Sequence, residues 1–232
     1  LTSDDGDLEF ASGTNVNTDA SCSDLIDTSF FRELVETLSV QRWDDHRYYH
    51  QSRINQALHL VSALSFLAAY ILLFFDPVSA ALIGWLLAMT TRQIGHFFFE
   101  SKEFDSINNA SHEHKEAIKV GYNLHRKVIL LSIWGAIPLF AVIWPPAVTW
   151  AVPESFEDST LRIVGMAWFF LGVAGLLFRA LQLVKNENIT HALAWVAKIL
   201  TDPFHDVKLY HRSPIYLLKG EYIDPMNHVK HS

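Results

Sequence analysis

The sequence predicts an all-α, multi-pass membrane helical bundle, and three observations lead to this fold class. Hydrophobic residues make up 50% and aromatic residues 13% of the 232-residue chain, and the mean hydropathy is positive. Several apolar runs reach the length of about 20 residues that a helix needs to cross a bilayer. Prolines and polar segments separate these runs. Together these features predict four transmembrane helices with short interfacial helices.

The composition also excludes several classes of function. The net charge is −7 with neutral histidines, and no basic cluster indicates binding to nucleic acid. The single cysteine, Cys22, excludes an intramolecular disulfide framework and a cysteine-rich metal site. No signal peptide is predicted, because the first residues are acidic and polar. The expected partners are therefore membrane lipids and a small molecule, and the twelve histidines indicate where to look for a site.

The first part of the chain is predicted to lie outside the bilayer. Residues 1–26 are polar and acidic and predict a disordered tail. Phe30, Leu34 and Leu38 then recur at helical spacing, which predicts a short amphipathic helix along the membrane surface. A polar segment that carries histidines follows it. Residues 27–54 are therefore predicted to be an interfacial helix and a histidine-bearing lead-in.

The membrane domain is predicted over residues 55–200. Asp76-Pro77 is a link so short that the first two crossings must form an antiparallel hairpin. Residues 189–200 are too few and too mixed to cross, which predicts an interfacial helix, and residues 201–232 are predicted to be a polar cytoplasmic tail. The four predicted crossings are 55–75, 78–98, 127–144 and 161–184.

The orientation follows from the positions of Lys and Arg. They are absent from the two links on one side of the predicted bundle and concentrated in three segments on the other side. The links are 76–77 and 145–160, and the segments are 1–54, 99–127 and 185–232. This bias predicts that both termini face the cytoplasm. All twelve histidines then lie on that side or at its rim, which indicates a shared site.

The hairpin brings histidines together. His59 lies sixteen residues before the end of the first predicted crossing at Phe75. His96 lies eighteen residues after the start of the second at Val78. At a rise of ~1.5 Å per residue, the two imidazoles lie at nearly the same depth. His50 can fold back toward them from the lead-in, and Asn55 shares a helix face with His59. Neutral imidazoles suit Fe(II), Zn(II) or Cu(II), so the sequence predicts a metal site formed by these three histidines.

Further residues near the predicted site are candidates for supporting roles. Glu100 lies one turn after His96 and could bind the metal or orient the imidazole. Arg92 lies one turn before His96 and could hold a substrate carboxylate with two hydrogen bonds. His112 and His114 are candidates for additional ligands, because their segment can fold under the hairpin. The alternative for these two histidines is a solvated surface.

Two motifs carry a resemblance to a known family. The first is Tyr49-His50 followed by Asn55 and His59, and the second is Gln93-x-Gly95-His96-x-x-Phe99-Glu100. In their order and their position on a predicted hairpin they resemble the motifs of the membrane 2-hydroxy fatty acid α-dioxygenases. These are small multi-pass proteins of the fungal endoplasmic reticulum, with bacterial relatives. The resemblance covers about Tyr48 to Glu100.

The resemblance implies a reaction and a location. The family's activity is an Fe(II)-dependent oxidation that shortens a 2-hydroxy fatty acid by one carbon, with O2 as the second substrate. It implies Fe(II) held by His50, His59 and His96, with Glu100 and Asn55 supporting the ligands. The substrate is then a lipid-derived acid whose chain lies between helices. The expected location is a bacterial inner membrane or the endoplasmic reticulum.

Three other interpretations remain open at this stage. His59 and His96 could be the axial ligands of a b-type haem in an electron-transfer subunit, which a visible spectrum would reveal. His46 and His50 have the HxxxH spacing of membrane di-iron hydroxylases, although the HxxHH boxes of those enzymes do not occur. The chain could also be a homo-oligomer or a non-catalytic subunit of a larger membrane complex.

Overall fold

The computed structural model describes residues 22–100, 102–119 and 124–226, and this part of the chain is all-α as predicted. The β pairing among these residues is limited to two isolated bridges, Ser52 with Ile223 and Asp105 with Ala110. Most of the tail predicted for residues 1–26 lies outside the described residues.

The helices follow one another with short connections. In chain order they are α1 Cys22–Tyr49, α2 Arg53–Leu72, α3 Pro77–Ile83, α4 Thr90–Phe98, α5 His112–Ile118, α6 Leu124–Ile143, α7 Pro146–Thr149, α8 Thr160–Asn186, α9 Ile189–Tyr210 and α10 Ser213–Leu218. A π-helical segment, Gly84–Met89, joins α3 to α4, and a 3₁₀ turn, Glu154–Phe156, precedes α8. The chain is therefore helical without a break from Pro77 to Phe98.

Among the described residues, three helices are long and apolar enough to cross a membrane, namely α2, α6 and α8. They correspond to the first, third and fourth predicted crossings. The second predicted crossing, 78–98, is divided between α3, the π-helical segment and α4. Because a π-helical turn holds an extra residue, it rotates the following helix face by roughly 100°. The structure thus has three candidate spans where four were predicted.

The structure contains the predicted hairpin. The Asp76 carboxylate accepts hydrogen bonds from the backbone amides of Val78 and Ser79, and so begins α3. Pro77 occupies the first turn, where its fixed φ suits a helix and no amide donor is needed. Helix α2 packs against α3, the π-helical segment and α4. The two arms of the hairpin therefore run antiparallel and place His59 and His96 at the same end.

A tryptophan stack ties the hairpin to the remaining candidate spans. The Trp134 ring stacks on Trp85 and Trp168, with ring centroids 6.3 and 5.1 Å apart. The Trp85 indole donates to the Trp168 carbonyl, and the Trp168 indole donates to the Trp134 carbonyl. Each such aromatic pair contributes about 0.5–1.5 kcal/mol beyond area burial. The stack holds the π-helical segment, α6 and α8 together.

The prediction for residues 27–54 was wrong in one respect. The prediction divided this segment into a short helix and a histidine-bearing lead-in. In the structure a single helix, α1, covers both as far as Tyr49. The polar residues of its second half are paired with α9, as Arg42 lies 3.4 Å from Asp202 and Asp45 lies 3.0 Å from Lys198. These long-range ion pairs override the weak local helix preference of the segment.

The predicted boundary between residues 200 and 201 was also wrong. Helix α9 begins at the Asn188 cap and continues to Tyr210, through Pro203. It packs against α1, α2 and α8, so it belongs to the bundle. The segment after it is not a free tail, because buried Asp224 accepts a hydrogen bond from Gln56. Packing of the apolar side of α9 compensates for the backbone hydrogen bond that Pro203 cannot donate.

Candidate metal centre

Three imidazoles meet at one end of the hairpin, as the sequence predicts. The ring centroid of His59 lies 4.1 Å from that of His50 and 4.9 Å from that of His96. The centroids of His50 and His96 lie 5.3 Å apart. One nitrogen from each ring lies within 4.8 Å of the other two. His50 and His59 are fully enclosed, with 1% and 0% of their surface exposed.

The first turn of α2 positions His50. The Asn55 side chain donates a hydrogen bond to the Tyr49 carbonyl, and the Gln56 side chain donates one to the His50 carbonyl. The donor–acceptor distance is 2.8 Å in both. Gln56 is itself fixed, because its Oε1 atom accepts from Ser213 and its Nε2 atom donates to Asp224. These bonds turn the chain back between α1 and α2, so the His50 ring faces His59.

The free nitrogens of the cluster fit a metal ion. The Nε2 atom of His50 and both ring nitrogens of His59 are buried without a hydrogen-bond partner among the described residues. The Nδ1 atom of His96 is bonded to Glu100, which leaves its Nε2 atom for a ligand. Buried polar atoms normally have partners, and this group of unpartnered imidazole nitrogens could hold a metal ion. Neutral imidazoles suit Fe(II), Zn(II) or Cu(II).

The Tyr210 hydroxyl bridges His50 and His46. The Tyr210 hydroxyl lies 2.9 Å from His50 Nδ1 and 3.0 Å from His46 Nδ1. A phenol carries one proton, so it donates to one ring and accepts from the other. When His50 offers Nε2 to a metal, its Nδ1–H donates to Tyr210, and Tyr210 donates to His46. Burial, followed by the nearby Asp206, raises the pKa of Tyr210 well above its ordinary value, which keeps the phenol protonated.

His50 itself is held neutral. Burial, followed by the charge of the neighbouring His59, lowers the pKa of His50 well below its ordinary value. Only a neutral imidazole can bind a metal, because protonation occupies the lone pair. The environment of His50 therefore prepares it as a ligand.

A carboxylate orients His96, as the sequence predicts. Glu100 Oε2 lies 2.7 Å from His96 Nδ1, and Lys119 lies 3.2 Å from Glu100 Oε1. Lys119 also pairs with Glu116. Because the carboxylate accepts from the Nδ1 side, it directs the opposite nitrogen of His96 toward the other two rings.

A buried carboxylate lies beside His59. Asp206 Oδ2 is 3.6 Å from His59 Nδ1 and forms an ion pair with Arg92. Arg92 is therefore part of the support around the histidines, and its predicted role in holding a substrate carboxylate stays a prediction.

A second buried ion-pair group holds α9 against α1. Lys198 lies 3.0 Å from Asp45 and 2.5 Å from Asp202. Although burial opposes the shift, the Lys198 ammonium lowers the pKa of Asp45 well below its usual range. Although burial also opposes it, Asp45 and Asp202 raise the pKa of Lys198. Asp45 and Lys198 are thus charged at neutral pH, and the group fixes α9, which carries Asp206 and Tyr210.

The remaining ligand candidates lie outside the cluster. His112 begins α5 and His114 lies in its first turn with an exposed side chain. Neither belongs to the group of histidines whose nitrogens converge. Their segment is helical. The ligand set that the structure brings together is therefore His50, His59 and His96.

Sequence reasoning missed the support that α9 provides. Lys198, Asp202, Asp206 and Tyr210 follow one another at intervals of four, so they share one helix face. All four are buried. This spacing was a visible signal of a buried polar face, but Pro203 made the segment look like the end of a helix. Gln56 was also missed, and nothing in its local sequence distinguishes it.

A large apolar cavity reaches the metal centre. Its volume is about 440 Å³, and His96 forms part of its wall. Most of the lining is apolar and comes from the hairpin, α6 and α8, including Phe66, Leu73, Trp85, Leu131 and Phe169. Its polar lining includes the cationic Arg92, Lys119 and Lys127, the amide of Gln93, and the carboxylates of Asp44 and Asp45. The cavity is therefore mostly apolar, with polar and charged side chains at the end where His96 lies.

Comparison of the chain with protein-family models, with curated proteins and with solved structures gives no match. The class of protein is therefore defined by the molecule itself: an all-helical protein with candidate membrane spans and a buried group of three histidines that could hold a metal ion.

Replacing Gly95 by alanine is expected to disturb the centre. A Cβ atom there would overlap Asn55 Oδ1 and lie 3.6 Å from His59 Cδ2. Forced overlaps of this kind cost about 1–3 kcal/mol. We expect lower stability and weaker metal binding for Gly95→Ala. The control is Gly135→Ala, because nothing lies within 4 Å of a Cβ atom at Gly135. Asn55→Ala should partly rescue Gly95→Ala, and equal metal binding by all these variants would contradict the packing argument.

Replacing Glu100 by glutamine is expected to weaken the centre without destroying it. The amide keeps the size of the side chain but removes the charge that orients His96. Outer carboxylates of this kind contribute about 10–100-fold to metal affinity or activity. A competition titration with a chelator measures the change. Glu116→Gln is the matched control, because Glu116 also pairs with Lys119 and has no bond to a cluster imidazole. An equal loss of affinity in both variants would show that the Lys119 pairing, and not the imidazole contact, matters.

Proposed function

We propose that the chain is an iron-dependent membrane oxygenase that acts on a lipid-derived acid. The reaction class is the α-oxidation of 2-hydroxy fatty acids with loss of one carbon, in line with the motif resemblance. The observation that carries the proposal is the position of the three-histidine cluster, which lies beside an apolar cavity. Neither feature alone indicates this class, since a metal site could be structural and a cavity could hold a bilayer lipid.

The volume of the cavity supports a small amphiphilic substrate. Ligand pockets usually measure about 300–1,000 Å³, and this cavity lies within that range. Its apolar lining accommodates an acyl chain, and its cationic lining offers partners for a carboxylate. An acid bound with its chain between the helices would then have its carboxyl end near His96.

In this proposal the residues of the chain bind and orient, and bound Fe(II) supplies the redox chemistry with O2. His50, His59 and His96 would hold the ion. Glu100 and Tyr210 orient two of these rings, and Asn55 holds the turn before α2. Burial of the cluster excludes bulk water, which protects a reactive centre from side reactions.

The haem alternative is less compatible with this packing. A bis-histidine haem needs a flat macrocycle between its two axial ligands. Here the His50 ring lies 4.1 Å from His59 and 5.3 Å from His96, so a third imidazole contacts both. Three converging rings favour a single ion. A Soret band in the purified protein would contradict this choice.

The proposal includes a four-crossing topology with both termini in the cytoplasm, in a bacterial inner membrane or the endoplasmic reticulum. It rests on the bias of Lys and Arg along the chain. Protease added to the outer side of sealed membranes should leave tags on both termini intact, and cleavage of either tag would contradict this topology.

The test of the proposed reaction uses protein purified without oxygen and loaded with Fe(II). A panel of 2-hydroxy fatty acids is supplied, and O2 consumption and the acid shortened by one carbon are measured. We expect both signals with at least one acid and neither with metal-free protein. Iron-loaded, folded protein that consumes no O2 with any acid of the panel would contradict the proposal.

A further inference from the structure

The cavity wall carries one cation that has no carboxylate partner. Four cationic side chains line the cavity, namely Arg92, Lys119, Lys127 and Lys198. Arg92 forms an ion pair with Asp206. Lys119 pairs with Glu100 and Glu116. Lys198 pairs with Asp45 and Asp202. For Lys127, no ion pair is formed with any carboxylate of the described residues.

Lys127 lies where the cavity approaches the metal centre. It belongs to the first turns of α6, it is half-buried, and its ammonium lies 6.0 Å from the centre of the Phe97 ring. Phe97 is the neighbour of His96 in α4. An ammonium in a mostly apolar cavity without a direct ion pair is unfavourable, because burial removes part of its hydration and Glu100 and Glu116 act on its charge only from a distance. A negatively charged ligand would remove this penalty.

Four further polar atoms on residues of the cavity wall also lack partners among the described residues, including both amide atoms of Gln41. Arg92 Nε and Gln93 Oε1 are buried without a hydrogen bond to any described residue. Gln93 lies one turn before His96 on α4. The wall near the histidines therefore offers an unpaired ammonium, one free donor and one free acceptor. A hydroxy acid has matching groups, because its carboxylate accepts hydrogen bonds and its hydroxyl can donate one.

We propose that Lys127 binds the carboxylate of the amphiphile in the cavity, with Arg92 Nε as a second donor, and so selects acids over neutral lipids. The proposal rests on the proposed function for the identity of the amphiphile. It assigns the recognition of the acid to α6, outside the two histidine motifs. The Arg92 Nη2 atom, by contrast, is bound to Asp206.

The test measures binding, with no turnover required. Metal-free, full-length protein in lipid nanodiscs is titrated with radiolabelled 2-hydroxypalmitic acid and, separately, with its methyl ester. A hydrogen bond to a charged group contributes about 10–100-fold in affinity. We expect Lys127→Met to weaken binding of the acid by that factor and to leave binding of the ester unchanged. Lys127→Arg keeps the positive charge and should retain the affinity for the acid. Lys185→Met is the control, because Lys185 is exposed at the end of α8 and does not line the cavity.

Several outcomes would overturn the inference. One is equal binding of the acid and the ester by the wild-type protein. Another is an equal loss of both ligands in Lys127→Met, which would indicate a damaged cavity. A third is tighter binding of a single-chain alkyl phosphate than of the acid, which would replace the carboxylate by a phosphate head group.

This inference and the proposed function can fail separately. Binding of the acid that depends on Lys127, without O2 consumption, would leave the binding role intact and remove the oxygenase. If the acid is turned over and Lys127→Met binds it with unchanged affinity, the oxygenase proposal stands and the binding role of Lys127 is removed.

Discussion

Alanine at His50, His59 or His96 is expected to abolish metal binding. Each ring offers one nitrogen to the cluster, and these nitrogens lie within 4.8 Å of one another. Removing one ring leaves two neutral ligands in a buried space, which cannot satisfy an ion that prefers four or more ligands. Metal analysis of protein purified without chelators should give one ion per wild-type chain and close to none for each variant.

The controls for this prediction are two histidines outside the cluster. His114→Ala tests the remaining sequence candidate on α5, and His211→Ala removes an exposed ring that is bonded to the Lys208 carbonyl. Both variants should retain full metal content. Retention of metal by any two of the three cluster variants would show that the ion, if bound, lies elsewhere. Loss of metal in His114→Ala would indicate that His114 is a metal ligand.

Alanine at Asp206 is expected to cause a large loss of stability. Asp206 is buried, forms an ion pair with Arg92 and lies 3.6 Å from His59 Nδ1. Removing it leaves the Arg92 guanidinium, whose side chain is 16% exposed, without its counter-ion. Breaking a buried pair in this way typically costs about 3–5 kcal/mol. The free energy of unfolding in mixed micelles measures this effect, and metal binding should weaken as well.

An ion pair on the surface provides the comparison. Asp158 pairs with Arg162 at 3.0 Å, and the Asp158 side chain is 67% exposed. Such pairs contribute at most about 1 kcal/mol, so Asp158→Ala should change stability little. Asp206→Asn keeps the shape and should fall between the wild type and Asp206→Ala. If Asp206→Ala and Asp158→Ala proved equally stable, the buried pair would have no structural role.

Part of the centre could be predicted because it depends on local rules. Apolar length and the Asp76-Pro77 link determine the hairpin, and the constant rise of a helix determines that His59 and His96 lie level. The spacing of four residues between His96 and Glu100 determines their contact. These relations hold within one element or across one short link, so the sequence contains all the information they need.

The second crossing shows where local rules fail. The run from Val78 to Phe98 reads as one uniform helix, but the structure places a π-helical segment at Gly84–Met89. Trp85 lies in this segment, stacks on Trp134 of α6 and donates to the Trp168 carbonyl of α8, and periodicity cannot reveal such contacts.

The sequence by itself determined the all-helical class, the hairpin and the three histidines, because periodicity and helix geometry act over neighbouring residues. Only the tertiary structure decided how α9 supports the cluster. Tyr210, Asp206 and Lys198 reach it from a helix more than a hundred residues away along the chain. Their burial depends on the free energy of ion pairs and packing between α1, α2 and α9. Such contacts form between distant segments, so no local pattern in either segment specifies them.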